Sequence, residues 1–336
     1  MRPVSLSEVF AAVRPSIVAF MPRFARAAAD GGRPDVFPII GTGFVLDDGF
    51  VATNEHVVDA LLSLPKPPDF PKDQWSFTAV LFHHLDKKRF PNAPSEGYAQ
   101  IPLEVLGVVR SGELELTGDG IYYGPRKPDI NIVHVKAKGL PRLELLASTD
   151  VLHEGTEVAT IGFPMGTQAL SAPGWVHQYG PFLQRGVISA ILPFACKAPH
   201  SFVINVMGMG GASGSPVFLS DNPKAIGILN AGLLEPLPTF GTVQGQVAQI
   251  GMTQVRTNFS YVVPSYFLSG VLEKLKADAV FKLPEDTLSL AETIEQAEII
   301  VAKRPGHNEP PNPRKLFVGP EDAPTIEVRI EPTSRK

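Results

Sequence analysis

The chain has 336 residues, of which 44% are hydrophobic, and its formal net charge at pH 7 is −4. This length suits two core-forming units and a tail, because a domain usually takes roughly 100–200 residues. The slight negative charge excludes a broad nucleic-acid-binding surface, and the 33 prolines and 30 glycines favour many short strands joined by turns over long helices.

The first half of the sequence predicts a short helix followed by several short strands. Residues Ser7–Val13 favour a helix with Ser7 as its N-cap, and Pro15 ends it because proline lacks the backbone N–H that a further turn requires. Two loops, Leu64–Pro71 and Leu85–Gln100, interrupt the strands. Short strands at this spacing are typical of a closed or sandwiched all-β unit. The predicted strands are Ser16–Met21, Gly43–Leu46, Phe50–Thr53, Phe77–Phe82, Ile101–Val109 and Ile130–Val135.

The second half repeats this organisation after a connection at Leu140–Ala147. Pro264 and Ser265 open an amphipathic helix that closes the unit, with Phe267 and Leu275 available for packing. The predicted strands are Glu157–Phe163, Gly186–Leu192, Phe202–Met207, Pro216–Leu219 and Ala225–Ala231, with further strand structure within Val247–Val263.

The last sixty residues predict a helix, a linker and a strand. Ser289 and Glu292 have the spacing of a capping box. Apolar residues then recur at helical spacing at Leu290, Ile294, Ala297 and Val301. The proline-rich run after Lys303 is typical of a flexible linker. Thr325–Ile330 alternates as a strand does and suits addition to an exposed sheet edge, so the tail is a candidate for contact with a partner or with the chain itself.

Three segments carry the residue types that nucleophilic catalysis by a hydroxyl requires. His56 follows an apolar strand, Asp129 opens another, and Ser213 lies within the glycine-rich stretch Gly208–Pro216. A serine hydroxyl needs a base to take its proton and N–H donors to stabilise the oxyanion that forms. Alone, the glycine-rich stretch is equally typical of a tight turn between strands, whereas a phosphate-binding loop is disfavoured because no Lys-Ser/Thr pair follows the glycines.

The order His, Asp, Ser with these flanking residues resembles the trypsin/chymotrypsin-like serine proteases, and most closely their bacterial HtrA-type branch. The matching segments are Thr53–Val58, Asp129–Val133 and Gly211–Pro216, supported by Leu152–Gly166 and Arg185–Ala190. The resemblance implies an all-β fold of two six-stranded β-barrels with a short C-terminal helix. Residues 1–140 would form the barrel that carries His and Asp, residues 141–276 the barrel that carries Ser, and residues 277–336 a helix and a partly disordered tail. This tail is too short and too rich in proline for the PDZ domain that HtrA-type relatives usually carry there.

The resemblance also implies a function and a role for each site residue. The expected enzyme is a serine endopeptidase that uses Ser213 as nucleophile, His56 as general base and Asp129 to orient the imidazole. The N–H groups of Gly211 and Ser213 would form the oxyanion hole. Asp59 and Asp119 are weaker candidates for the carboxylate, because neither opens an apolar strand.

Residues near the nucleophile are expected to bind the substrate. In this fold the specificity pocket lies beside the stretch before the serine and the strand after it, which here offers Met207, Leu229, Asn230 and Ala231. A thioether and apolar side chains cannot pair with a cation, so we expect cleavage after small or medium apolar residues.

The expected partner is thus a protein or peptide substrate, with no nucleic acid, no metal and no cofactor. One alternative is a serine esterase with the same triad, although the Gly-x-Ser-x-Gly pattern is absent because position 215 is Ser. Another is a protease-fold binding or scaffold module with a latent site, because Met209 and Gly210 replace the Asn-Pro that is usual in HtrA-type relatives.

The cysteine content and the N-terminal sequence bear on where the protein works. Cys196 is the single cysteine, so no internal disulfide can form, which fits a reducing compartment. Charged residues such as Glu8, Arg14 and Arg23 interrupt every early apolar run, which is untypical of a signal peptide. No run approaches the roughly 18 apolar residues that a membrane span needs. The sequence therefore predicts a cytoplasmic protein without a membrane partner.

Overall fold

The computed structural model of the protein describes residues 4–24, 39–84, 98–112, 127–164, 166, 180–196, 198–243, 246–302 and 327–332. The predicted proline-rich linker after Lys303, most of the predicted loop Leu85–Gln100 and the candidate Asp119 lie outside these residues.

Within the described ranges the chain forms four α-helices and fifteen strands. The helices are α1 Leu6–Val13, α2 Glu55–Leu62, α3 Ser265–Ala277 and α4 Leu290–Gln296. The strands are β1 Ile17–Pro22, β2 Gly41–Asp47, β3 Phe50–Thr53, β4 Phe77–His84, β5 Tyr98–Leu103, β6 Val105–Arg110, β7 Asn131–Val135, β8 Glu157–Gly162, β9 Phe182–Leu192, β10 Ser201–Ile204, β11 Pro216–Leu219, β12 Asn222–Val243, β13 Gln246–Pro264, β14 Ala297–Ala302 and β15 Glu327–Pro332.

The first unit is a sheet that curves round on itself. Its strand order is β14-β15-β5-β4-β1-β2-β3-β7-β6. Strands β5 and β6 lie at opposite ends of the seven strands of this unit, yet only Glu104 separates them in the chain. The two ends of the sheet must therefore meet. Counted as one strand that bends at Glu104, β5 and β6 complete the predicted six-stranded barrel with β1–β4 and β7.

The second unit is a closed barrel of six strands in the order β10-β13-β12-β11-β8-β9, which confirms the predicted architecture. Helix α3 follows β13 directly and packs Phe267, Leu268 and Leu275 against the protein core, as the amphipathic pattern after Pro264 predicted.

Continuous apolar runs in the sequence correspond to strands that are buried on both faces. In β1, Val18 and Phe20 point into the core of the first barrel, whereas Ile17, Ala19 and Met21 point into a cluster between the two barrels. Side chains alternate along a strand, so a strand that is covered on both faces needs apolar residues at every position.

The cluster between the barrels fixes how the two units sit against each other. It includes Phe44 and Phe82 from the first barrel and Phe163 and Phe218 from the second, with the ring centroids of Phe82 and Phe163 5.2 Å apart. The Thr42 N–H of β2 also donates to the backbone carbonyl of Ser213, so the first barrel contacts the loop that precedes β11 directly.

Several local predictions need correction. The N-cap of α1 is Ser5 rather than Ser7, because Ser5 and Glu8 have the three-residue spacing of a capping box and make both of its hydrogen bonds. Helix α2 follows β3 directly and was not predicted; only the end of the strand was. The buried residues Val57, Val58 and Leu61 have the spacing of one face of a helix.

The tail and the last barrel strands differ from the prediction in length. The capping box of Ser289 and Glu292 is confirmed, but α4 ends at Gln296 and the β-branched residues that follow form β14 against β15. Strand β15 also lies parallel to β5, through Arg329 and Gln100, so the predicted edge strand is confirmed. Strand β12 was expected to end at Ala231 and instead continues to Val243.

Among the described helices, none combines the length and the apolar character that crossing a bilayer would require.

Candidate active site

The candidate base and its carboxylate meet on the first barrel, where helix α2 begins. His56 is the second residue of α2, and Asp129 lies two residues before β7. The Asp129 carboxylate contacts His56 twice: Oδ2 lies 2.5 Å from Nδ1 of the ring, and Oδ1 accepts from the backbone N–H at 3.1 Å. With Nδ1 engaged in this way, Nε2 is the ring nitrogen that remains to exchange a proton.

The start of α2 explains why this contact forms. The first N–H groups of a helix have no partner within it, and an N-cap side chain usually supplies one. The N-cap here, Asn54, makes no such bond; its side-chain amide donates instead to the backbone carbonyl of Asp129 at 2.7 Å. The Asp129 carboxylate takes over the capping role, so the same contacts that complete the helix also orient the imidazole.

The ionisation of Asp129 reflects two opposing influences. Burial is the largest and raises the pKa, but the hydrogen bonds and charge of His56 together outweigh it and hold the pKa of Asp129 below its ordinary value of 3.8. Because the pKa of Asp129 is lower in the folded state, this contact stabilises the fold at pH values above the ordinary pKa. That stabilisation is lost as the pH falls through the folded value.

A cluster of charges next to His56 ties α2 to its surroundings. The buried Glu55 carboxylate accepts from Arg110 of β6 at 2.6 Å and from Lys127 at 2.7 Å, and Arg110 also pairs with Asp59 at 2.5 Å. Hydrogen bonds to Asp59 and then to Glu55 raise the pKa of Arg110. Lys127 lies two residues before Asp129, so this cluster adds a second link between the carboxylate segment and the helix. Asp59, the rival carboxylate, is thus occupied by Arg110.

The candidate nucleophile lies on the second barrel, in the loop between β10 and β11. The Ser213 hydroxyl donates to the Asn230 carbonyl of β12 at 3.2 Å. Of the hydrogen bonds within the described ranges, none joins this hydroxyl to His56. His56 and Asp129 are thus in direct contact, whereas Ser213 is turned toward β12.

The backbone around Ser213 has the shape of a tight turn. Ala212 donates to the Met209 carbonyl at 3.0 Å, and Gly211 has a φ of 87°, which favours glycine because a side chain is strained there. The N–H groups of Gly211 and Ser213, predicted as oxyanion donors, make no hydrogen bond with any described residue.

One residue of the first barrel connects it to the Ser213 turn, and this residue was not predicted from the sequence. The buried Thr42 of β2 donates its N–H to the Ser213 carbonyl at 2.8 Å and its hydroxyl to the Gly211 carbonyl at 2.7 Å. The same hydroxyl accepts from the Phe163 N–H at 3.0 Å. Thr53, three residues before His56, donates to the Thr42 carbonyl at 2.8 Å. The only local signal for this role is a threonine between two glycines.

The predicted substrate-binding residues separate into two groups. Leu229 is only 2% exposed and packs in the barrel core, so its side chain does not line a cleft as expected. Met207 and Ala231 are exposed, and the backbone carbonyl of Asn230 accepts from the Ser213 hydroxyl. A second missed residue, Arg256 of β13, donates to the Gly208 carbonyl at 2.5 Å and braces the stretch that leads into the turn.

One family model matches this chain. Residues 41–228 match the family model of the trypsin-like peptidase domain, which is more than half of the chain and includes His56, Asp129 and Ser213. The chain belongs to the trypsin-like peptidase family, which confirms the resemblance that its motifs carry.

Two solved structures of the HtrA-type protease AlgW are similar to this chain. The one with a tripeptide is 14% identical, with 81% of this chain and 63% of that chain covered and a TM-score of 0.45. The one with a decapeptide is 13% identical, with 90% and 72% covered and a TM-score of 0.47. This chain therefore spans less than two thirds of the length of the first of them. No curated protein sequence matches it.

Proposed function

We propose that the protein is a serine endopeptidase that hydrolyses peptide bonds through an acyl-enzyme, with Ser213 as nucleophile, His56 as base and Asp129 as its orienting carboxylate. The observation that carries the proposal is the 2.5 Å contact of His56 Nδ1 with Asp129. It is supported by the serine turn, in which the N–H groups of Gly211 and Ser213 make no hydrogen bond with a described residue.

In the proposed reaction, the Ser213 hydroxyl first leaves the Asn230 carbonyl by rotation about its side-chain bond. It attacks the substrate carbonyl while His56 Nε2 takes its proton. Asp129 holds the proton-bearing Nδ1 and stabilises the imidazolium. The oxyanion is bound by the N–H groups of Gly211 and Ser213. His56 then protonates the leaving amine, and water completes the hydrolysis of the acyl-enzyme.

We further propose cleavage after small or medium apolar residues, with Met207, Asn230 and Ala231 next to the substrate. Met207 and Ala231 are exposed beside the Ser213 turn and carry no charge, which supports this preference. A cytoplasmic location is also proposed: the single cysteine suits a reducing compartment, and subcellular fractionation tests it.

One observation favours a second function, that of a scaffold or binding module with a latent site. The Ser213 hydroxyl is engaged by Asn230 and not by His56. If this arrangement persists when a substrate binds, the protein would bind peptides without cleaving them.

Labelling with a fluorophosphonate probe decides between these functions. We expect the purified protein to be labelled and to cleave a denatured protein mixture, and Ser213→Ala to do neither. Labelling with turnover of esters but not of peptides would identify an esterase. Absence of both labelling and turnover in a folded protein would instead support the scaffold.

A further inference from the structure

Strands β12 and β13 continue well beyond the barrel as a two-stranded ribbon, residues 233–243 and 246–259, which we call the arm. The neighbours of these strands stop early: β11 pairs with β12 only as far as Ile228, and β10 pairs with β13 only as far as Ser260. The two arm strands nevertheless pair with each other out to Val243 and Gln246. Among the described residues, neither outer edge of the arm has a neighbouring strand.

The arm exposes apolar side chains on both of its faces. Leu234 (48% exposed) and Met252 (56%) lie on one face, because the pairing and the alternation of side chains put them on the same side. Leu237 (40%) and Val255 (41%) lie on the other. Neither face is therefore the inner face of the barrel. Other exposed apolar residues of the arm are Leu233, Phe240, Val247, Ile250 and Phe259.

The composition of the arm is unusual for a surface hairpin. Between Gly232 and Phe259 the only charged residues are Glu235 and Arg256, in a chain of which 19% is charged. Arg256 is directed back to the Gly208 carbonyl. Exposed edges are normally protected from pairing with other chains by charges or short strands. Pro236, Pro238 and the register shift at Thr239 and Phe240 protect the edges of the arm against pairing with another strand. They do not cover its two faces, so a partner would pack on these faces.

We propose that the arm is an interface between two copies of this chain: one face packs against the arm of the second copy, and the body of that copy covers the other face. An isolated two-stranded hairpin is marginally stable in water, so the arm needs a partner that covers it permanently. A peptide substrate leaves after each turnover and cannot supply that cover. A second copy is always present in equal number and carries the same largely apolar surface, in which only Glu235 and Arg256 are charged.

The area of the arm is sufficient for a stable dimer. Each arm strand runs for about ten residues, or roughly 35 Å, and a two-stranded ribbon is about 10 Å wide. Its two faces together offer roughly 700 Å², close to the roughly 800 Å² that each partner buries in a standard interface. A reciprocal exchange, in which each copy clasps the arm of the other, covers both faces of both arms.

The mass of the full-length protein in solution tests this proposal. By sedimentation equilibrium or light scattering we expect twice the chain mass of 36.2 kDa. Leu237→Lys/Met252→Lys adds one charge to each face of the arm and is expected to raise the dissociation constant at least about tenfold. The matched control Val151→Lys/Val280→Lys adds the same charges at exposed apolar positions outside the arm and should remain dimeric.

A second variant removes the arm without breaking the barrel. Leu234 and Arg256 are partners in the pairing, so residues 235–255 can be replaced by an Asn-Gly turn, which suits a two-residue hairpin. We expect a folded monomer, checked by circular dichroism. A wild type that is monomeric at tens of micromolar, or a double-lysine variant and a shortened variant that both keep the wild-type mass, would overturn the proposal.

Discussion

The two halves of the candidate active site differ in how they are held. On the first barrel, His56 and Asp129 are in direct contact at 2.5 Å, the His56 backbone N–H also donates to the carboxylate, and the Asn54 amide donates to the backbone carbonyl of Asp129. On the second barrel, Ser213 lies in a turn whose two free N–H groups have no partner among the described residues, and its hydroxyl is bound to Asn230.

This difference indicates that His56 is positioned by contacts within its own barrel, whereas the Ser213 turn of the second barrel depends on contacts from the first. The contacts of Asp129 satisfy a helix terminus, so they form whenever α2 and β7 do. The serine turn is held by Thr42, whose hydroxyl and N–H reach across from β2. We therefore expect substitutions in the two halves to affect activity differently.

The largest expected effect comes from breaking the first half with Asp129→Asn. The amide keeps the size of the side chain but removes the charge and favours the wrong imidazole tautomer, so we expect kcat to fall about 10⁴-fold. Steady-state kinetics with a peptide substrate measures it. Asp59→Asn, three residues beyond His56, is the matched control and should stay within about twofold. An equal loss in both variants would contradict the role of Asp129.

Breaking the second half requires a change in the first barrel, Thr42→Val. Valine keeps the shape but leaves the Gly211 carbonyl and the Phe163 N–H without their partner. We expect kcat to fall about 10- to 100-fold with little change in KM, because the oxyanion turn is distorted while substrate contacts remain. The rate of fluorophosphonate labelling should fall in parallel.

Thr42→Ser keeps the hydroxyl and serves as the control for this prediction. It should recover most of the activity and of the labelling rate. A serine variant as impaired as the valine variant would show that packing at this position, and not the hydrogen bonds, is what matters.

The smallest effect concerns the acid stability of the first half. His134 of β7 is buried, and its ring centroid lies 5.4 Å from that of Phe50. Its Nε2 has no hydrogen-bond partner among the described residues. Burial lowers the pKa of His134 from its ordinary 6.5. The stability that the neutral His134 contributes is therefore fully present above pH 6.5. It is lost as the pH falls through the lower pKa that His134 has in the folded state.

His134→Phe removes the titrating group but keeps a ring against Phe50 and Phe281. We expect the melting temperature to fall less between pH 7 and 5 than in the wild type. His153→Gln, at an exposed position, is the control and should keep the wild-type slope. If the slopes of all three proteins coincide, another group accounts for the acid sensitivity.

Much of the fold could be predicted because its signals are local. The bounds of β3 and β11 match the prediction, since short apolar runs between turns have few other structures available. Helix α3 was predicted from its amphipathic pattern. The end of α4 was not, because the strand β14 that replaces its last turn depends on pairing with β15, some thirty residues away.

The sequence by itself determined the residue types of the candidate site and their order, because His56, Asp129 and Ser213 each lie in a recognisable local pattern. Only the tertiary structure decided how they are held. Thr42 reaches residues more than 160 positions away, Leu229 turns into the core rather than toward a substrate, and the arm leaves the barrel because its neighbouring strands end. Such contacts join segments that are distant in the chain, and no local pattern of hydrophobicity or turn residues encodes them.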